Sequence, residues 1–409
     1  MSSDATLREL RVAMHGELTA NILPFWTDAA RDPRHGGIIG LIEEDGTPHP
    51  DAPKGAVLHA RALWTFSAAF RALADDSLRA AADAAAEHFT ASFVDPTFGG
   101  VFWMIDARGQ PMDERKHVYA QAFAIYALAE HFRATRNERS LQHAEAIFRL
   151  VETHAFDAEH IGYEECFSRA WTPLADVRLS EQDLNERRSM NTHLHLLEAY
   201  TTLHAAWPDT RVAERIRTLL EIFLERIIAP AGDRVVGFFT ERWDPRSTKV
   251  SFGHDIETSW LLVEGAEALG DAELTTRVRA SAILLATAVL ERGVDTEHGG
   301  LFNERDGEQL DTDKEWWPQA EAIVGFLAAY QESGDDAFLS AAVAAWRFVE
   351  RHVVDRAHGE WFRRVSRSGD RSRGGEKVGP WKCSYHDGRA CLEVMARVDA
   401  LLARRLVTR

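Results

Sequence analysis

A single phrase recurs six times along this chain, and that recurrence constrains the fold more than any composition does. It reads D-P-R-H-G-G-I-I, D-P-T-F-G-G-V-F, D-A-E-H-I-G-Y, D-R-V-V-G-F-F, D-T-E-H-G-G-L-F and D-R-A-H-G-E-W-F. With Gly37, Gly100, Gly162, Gly237, Gly300 and Gly359 as markers, the steps are about 60 to 75 residues, the size of a repeated supersecondary unit. In each phrase glycine supplies a positive-φ turn, and the bulky residues after it form a short strand or ribbon.

A second register runs in step with the first. Clusters of Asp, Asn or Ser at Ser3-Asp4, Asp75-Asp76, Asn137, Asp209-Thr210, Asp271 and Asp335-Asp336 precede stretches such as LRAAADAAAEHFTASF, whose apolar residues fall at i, i+3, i+4 and i+7. These are N-caps followed by amphipathic helices packed on one side. Between each glycine turn and the next cap lies another helix-length segment, such as HVYAQAFAIYALAEHF or PQAEAIVGFLAAYQES, apolar nearly all round and therefore buried on both sides. Twelve helices in six pairs, an inner apolar set and an outer polar one, predict an all-α (α/α)6 barrel with short β-ribbons in its loops, a single catalytic domain over 1–409. An open solenoid is the competing arrangement. Closure is favoured because six pairs complete a ring and no terminal pair looks like a polar cap. The two longest irregular insertions, 171–189 and 364–383, read as mobile lids or solvated excursions.

Composition narrows the partners. The 47 Lys+Arg against 64 Asp+Glu leave a net charge of −17, a field that repels phosphate backbones and anionic headgroups, so neither nucleic acid nor a membrane surface is expected. No apolar run reaches the ~18 residues of a bilayer span, and the start, MSSDATLREL, lacks the features of a secretory signal. The expectation is a cytoplasmic monomer. Cys166, Cys383 and Cys391 are too few and too scattered for a disulfide framework or a cysteine zinc site. No dinucleotide, P-loop, metalloprotease or nucleophile-elbow motif is present, so no cofactor is implied.

If the six units are equivalent, the first turns of the inner helices converge on one mouth of the ring. Those positions carry Arg61, Tyr119, Asn191 with His195, His254 with Glu257, Trp317 with Glu321, and His386. Asn191 and His195 are i and i+4 and share a face, whereas His193 points away, so the H-x-H pair cannot chelate one metal and no metal site is expected. His193 and the histidines of the glycine turns read as caps or satisfied core residues. His195, His254 and His386, at corresponding places of different units, need a common cause, and imidazole titrates near neutrality. Glu257 and Glu321 can orient an imidazole, hold a hydroxyl or pair with Arg61. Trp260, Trp316, Trp317 and Trp381 serve either packing or stacking on a flat ligand; Trp381, inside an insertion, is the least easily explained by packing. Histidines, an arginine, carboxylates and tryptophans suit proton transfer beside a carbonyl of a polar small molecule such as a sugar. Two readings compete: a hydrolase using Glu257 and Glu321 as general acid and base, and a sugar-binding protein without chemistry.

The runs R-K-H-V-Y-A-Q-A-F-A-I-Y-A-L, R-S-M-N-T-H-L-H-L-L-E-A-Y, S-F-G-H-D-I-E-T-S-W, W-W-P-Q-A-E-A and Y-H-D-G-R-A-C-L-E, in this order, resemble the N-acylglucosamine 2-epimerase superfamily, and the resemblance spans essentially the whole chain. It implies an (α/α)6 barrel that interconverts the reducing-end glucose of β-1,4-linked disaccharides with mannose, through ring opening and a cis-enediol, without a cofactor. By the same resemblance His254 and His386 are the acid/base pair, His195 is a third imidazole near the ring oxygen or O1, and Arg61 and Tyr119 bind O1 and O2 with Asn191 beside them. Glu257 and Glu321 orient His254 and hold hydroxyls, while Trp317 and Trp381 stack on the two sugar rings and Trp260 adds to the binding set. An aldose-ketose isomerase or a 2-epimerase of free glucose and mannose is the nearest rival. Asp387 stands where the motif leads one to expect Asn, a charge expected to raise the pKa of His386.

Overall fold

The computed structural model describes residues 3–371 and 374–407; Ser372 and Arg373, inside the second insertion, lie outside the described residues. Among them the helices run α1 (Ser3–Glu17), α2 (Ala56–Leu73), α3 (Asp76–Ser92), α4 (Val118–Thr135), α5 (Glu138–His154), α6 (Met190–Ala206), α7 (Thr210–Ile222), α8 (Phe252–Leu269), α9 (Ala272–Arg292), α10 (Trp316–Ser333), α11 (Asp336–Phe348) and α12 (Tyr385–Val407). Asp75, Asn137, Asp209, Asp271 and Asp335 are the N-caps of α3, α5, α7, α9 and α11, each accepting the backbone N–H two residues on. The two sets differ in burial as their patterns require. Every residue of α4 from Val118 to Phe132 is buried, whereas α5 buries one stripe through Leu141, Ala144, Ile147, Phe148 and Val151.

Each even-numbered helix packs on the next even one and α12 packs back on α2, so the inner ring closes; α1, α3, α5, α7, α9 and α11 lie outside it. Short antiparallel ribbons repeat the closure at one end. Lys54–Gly55 pairs with Met104–Ile105, Lys116–His117 with Cys166–Phe167, Arg188–Ser189 with Phe238–Phe239, Val250–Ser251 with Glu304–Asp306, and Lys314–Glu315 with Arg364–Val365. Each joins one unit to the next. The sixth, Ile42–Glu43 against Glu376–Val378, joins the last unit to the first. Part of the second insertion is thus ordered as ribbon rather than a free excursion. No helix among the described residues is long and apolar enough to cross a membrane.

The recurring aspartate organises each turn. Asp32, Asp95, Asp157, Asp295 and Asp355 each accept two backbone N–H groups of their own turn. Each also meets a cation in the ribbon strand leading to the inner helix: Lys54 at 2.7 Å, Lys116 at 3.0 Å, Arg188 at 2.5 Å, Lys314 at 3.2 Å and Lys377 at 2.8 Å. The fourth unit lacks the pair: Ala229 stands in the aspartate's place and Val250 in the cation's. A second latch comes from the fourth residue of each inner helix. His59, Gln121, His193, Asp255 and Gln319 accept the backbone N–H of Ile38, Val101, Tyr163, Val235 and Leu301 at 2.7–3.1 Å.

Glycine is required where that side chain arrives. A Cβ on Gly100 or Gly300, both near φ +70°, would lie 2.8 Å from the amide oxygen of Gln121 or Gln319. The expectation that every marker glycine makes the turn fails twice. Ile161 (φ +56°) and Gly232 (φ +73°) take the left-handed conformation in the third and fourth units, rather than Gly162 and Gly237. In those units the backbone reversal falls before the marker.

The five turn aspartates keep pKa values below the ordinary carboxylate range although burial pushes them up, because the cations and turn N–H groups favour the ionised form. A depressed carboxylate stabilises the fold above its unfolded pKa, about 4, and that stability is lost as pH falls towards the folded value. Lys54→Met leaves Asp32 buried without its cation and is expected to cost about 3–5 kcal/mol in a urea titration at pH 7. Lys249→Met, where the lysine is exposed and its partner Glu304 half-buried, should cost less than about 1 kcal/mol.

Candidate active site

Because the latches fix the start of each inner helix, they also fix what points at the ring axis. Arg61, His195, Glu257 and Glu321 are each the sixth residue of α2, α6, α8 and α10. Tyr119 and Trp317 are second in α4 and α10, His254 is third in α8, and His386 lies in the first turn of α12.

The structure brings the three imidazoles to one mouth. The indole of Trp317 touches both His254 and His386, with ring centroids 4.7 and 5.6 Å apart. His195 stands edge-on to Tyr119 at 5.0 Å. Arg61 donates through Nη2 to the Tyr119 hydroxyl at 2.8 Å and stacks over Phe123 and Tyr385. Its Nε has no partner among the described residues, and no carboxylate neutralises it. Trp381 packs near Trp103 and Tyr119 at 6.0 and 6.1 Å, and both Trp381 and Trp317 keep part of their surface open.

Each imidazole is held at Nδ1 by a different group. His386 meets Glu321 Oε1 at 2.6 Å, His195 meets Glu198 Oε2 at 2.9 Å, and His254 meets the Ser251 hydroxyl at 2.8 Å. Burial and then the charge of His195 push His254 down to about 3. Burial, then Arg61 and Arg389, hold His386 well below its usual value. Burial raises Tyr119, so its hydroxyl stays protonated.

Several expectations are corrected. Glu257 does not orient His254, which Ser251 does; Glu257 instead accepts from Arg389 Nη2 at 2.5 Å, and burial with the nearby Glu321 charge raises it to about 7. Neither acid pairs with Arg61. Trp260 is not a sugar platform: it is 2% exposed, packed against Arg389, with its indole N–H donated to Glu321 at 3.1 Å. Asn191 lines a small cavity with Glu165, Val177 and Phe238, its Oδ1 without a partner among the described residues. Asp387 adds no charge to His386. It is fully buried towards Glu360 and Lys382, and burial with the Glu360 charge raises its pKa well above the ordinary range.

Sequence reasoning missed Arg389, Glu198 and Tyr385. The guanidinium of Arg389, 1% exposed, bonds Glu257 and Glu321 through Nη2 at 2.5 and 2.6 Å and Glu198 through Nη1. Tyr385 donates to Glu198 at 2.5 Å. A signal for Arg389 existed: H-D-I-E in the fourth unit and H-D-G-R in the sixth share one spacing, so Arg389 repeats the place of Glu257. Glu257, Glu321 and His386 bring ligand-type atoms within 4.8 Å of one another, but the cation already bonded to those two carboxylates is Arg389. Two acids sharing one Nη2 also leave no room between them for a glycosidic bond, which removes the two-carboxylate hydrolase.

Comparison with known proteins agrees with this geometry. The family described as N-acylglucosamine 2-epimerase (GlcNAc 2-epimerase) matches residues 37–390. A cellobiose 2-epimerase of Bacteroides fragilis is 41% identical over 388 residues, covering 94% of this chain and 98% of that protein. One of Dictyoglomus turgidum is 38% identical over 393 residues, covering 96% and 100%. The structure of cellobiose 2-epimerase from Bacillus thermoamylovorans superposes with a TM-score of 0.91 at 38% identity, covering 95% of this chain and 100% of that one.

The depressed imidazoles set a pH dependence. His59, His117, His193 and His254 fall to about 3 and His88 to about 4, burial being the main cause in each. Between pH 6.5 and these values the unfolded chain binds protons that the folded chain refuses, so stability falls as pH drops through that window. The melting temperature should decline from pH 7 to pH 5, while the ring signals of His254 and His386 in NMR spectra stay those of neutral imidazole.

Proposed function

The chain belongs to the N-acylglucosamine 2-epimerase family and is a carbohydrate 2-epimerase of the cellobiose 2-epimerase type; from that premise we propose that it interconverts the reducing-end glucose and mannose units of β-1,4-linked disaccharides, cellobiose and lactose among them. The observation that carries this reading is the pair His254 and His386, both against Trp317 and both neutral at pH 7.

The sugar ring opens, and one imidazole takes the proton from C2 of the open-chain aldehyde. Inversion needs the proton returned on the other face, which a second imidazole on another wall supplies. Between the two transfers the electrons rest on O1 and O2 as a cis-enediol. The Arg61 guanidinium, without a carboxylate partner, and the protonated Tyr119 hydroxyl supply positive charge and a donor for those oxygens. His195, facing Tyr119, is placed to exchange the proton that ring opening moves. Trp317 and Trp381, with open surface, offer faces for the two sugar rings. Delivery of the proton to C1 instead would use the same groups and give the ketose.

Incubation with cellobiose in heavy water should give glucosyl-mannose carrying deuterium at C2 of the reducing unit, read by NMR; retention of protium there would contradict a histidine-mediated exchange. His386→Asn should lower kcat by about 10²–10⁴-fold, the usual span for losing an acid-base group, with circular dichroism unchanged. Retention of most activity would remove His386 from the reaction.

A further inference from the structure

Behind the imidazoles lies a buried layer of charge. One guanidinium meets three carboxylates from three inner helices, Glu198 on α6, Glu257 on α8 and Glu321 on α10. Two of those carboxylates hold Nδ1 of His195 and His386. All six groups are buried.

Hydrogen-bond direction fixes the proton positions. Glu321 accepts from Arg389 and from the Trp260 indole, one to each oxygen, and both of those groups can only donate. Its bond with His386 is therefore made with Nδ1–H donating, which leaves the lone pair on Nε2. Glu198 accepts from Arg389 and Tyr385, so His195 likewise donates through Nδ1. We propose that Arg389 is a positioning residue which, by keeping Glu198 and Glu321 as acceptors, fixes the Nδ1–H tautomer of His195 and His386 and so presents both Nε2 lone pairs to the substrate. This inference rests on the epimerase reading for its role in turnover, though not for the tautomers themselves.

The surroundings give Arg389 that control. Burial opposes ionisation of Glu198, yet Arg389 with the donors His195 and Tyr385 holds it at about 2. Burial raises Glu321, and Arg389 is the largest opposing influence. The charged and titratable groups facing this layer are Arg61 from α2, Tyr119 and Tyr126 from α4, His195 and Glu198 from α6, His254, Glu257 and Glu264 from α8, Glu321 from α10, and Tyr385 and His386 from α12. Among the described residues only Arg389 touches three of the acids. Without it burial raises both carboxylates unopposed by that cation, a protonated O–H donates to Nδ1, and the imidazole proton moves to Nε2, the wrong edge for a base.

The experiment compares the pH dependence of kcat and KM for cellobiose in wild type, Arg389→Lys and Arg389→Met. In Arg389→Met the acidic limb of kcat should move upward by about one unit or more, with kcat at pH 7 lowered about 10²-fold and recovered in part at higher pH, while KM changes less than about twofold. Arg389→Lys should show the same displacement to a smaller degree, and it serves if the Met variant fails to fold. A loss of kcat equal at every pH in the folded variants would mean a purely structural role and overturn the proposal. A raised KM with kcat preserved would mean that Arg389 touches sugar, and would overturn it as well. Nitrogen-15 NMR of labelled histidine reads the tautomers directly: Nδ1–H for His195 and His386 in wild type, shifting towards Nε2–H in the Lys variant. Should wild type show no exchange at C2, the epimerase reading fails alone, and the NMR result still decides for or against Arg389.

Discussion

In five of the six units the structure depends on an aspartate, largely buried, that closes the turn before the inner helix and draws in a lysine or arginine from the ribbon strand leading to that helix. Side chains that could be ionised are expensive to bury, so an Asp–Lys pair with nearly no exposure persists only where its remaining lone pairs are also satisfied. Here the turn's own N–H groups satisfy them. The consequence is geometric: the pair ties the end of an outer helix, the turn and the start of the next inner helix into one rigid corner. Repeated around the ring, these corners leave an inner helix little freedom to rotate or slide.

That rigidity is what lets the floor of the site hold mismatched charge. Three acids and one guanidinium in a buried layer carry more negative charge than the cation balances, and a loosely held layer would let in water or repack. Glu257, raised to about 7, takes up part of the imbalance by ionising reluctantly. His254 and His386 above are depressed by the same lack of water, so neutral bases stand over an anionic floor. A proton arriving on His386 would meet Glu321 at hydrogen-bond distance, whereas one arriving on His254 would meet only the Ser251 hydroxyl.

Much of this was readable from the chain. Caps such as Asp271 and Asp335 are local, so their identity alone announces a helix start, and the all-round apolarity of the α4 segment announces an inner helix. Arg61, Tyr119, His195, His254, Trp317, Glu321, Trp381 and His386 do gather at the mouth, because equivalent units place equivalent turns together. What stayed hidden was pairing between units. Nothing local distinguishes Ser251 from any other helix cap or says that it holds His254, and Glu257 faces Arg389 only because α8 and α12 both point at the axis. Trp260 went astray for the same reason: its place on α8 turns it to the floor, against Arg389 and Glu321, rather than to the open mouth. The glycine markers misled in the third and fourth units because Ile161 and Gly232, rather than the repeated glycine, take the reversal.

The inner helices also show how a repeat divides its labour. The fourth residue faces outward to the turn, and in α2, α4, α6, α8 and α10 it is His, Gln, His, Asp and Gln, different side chains making one hydrogen bond to one backbone N–H. The sixth residue faces the axis and is Arg61, Phe123, His195, Glu257 and Glu321, five side chains doing five different things. A position whose partner is the unit's own turn can vary only among acceptors of similar reach. A position at the axis has as neighbours the other units, and there difference is what builds a site, since six copies of one charge around a common axis would repel one another. In the sixth unit the two roles trade places. Glu360 follows the turn glycine in the left-handed region and caps the Trp361 N–H itself, freeing the helix from that duty. Lys382 and Asp387 then settle against Glu360, away from the axis, and α12 is left to present His386 and Arg389 to the acids of three neighbouring helices.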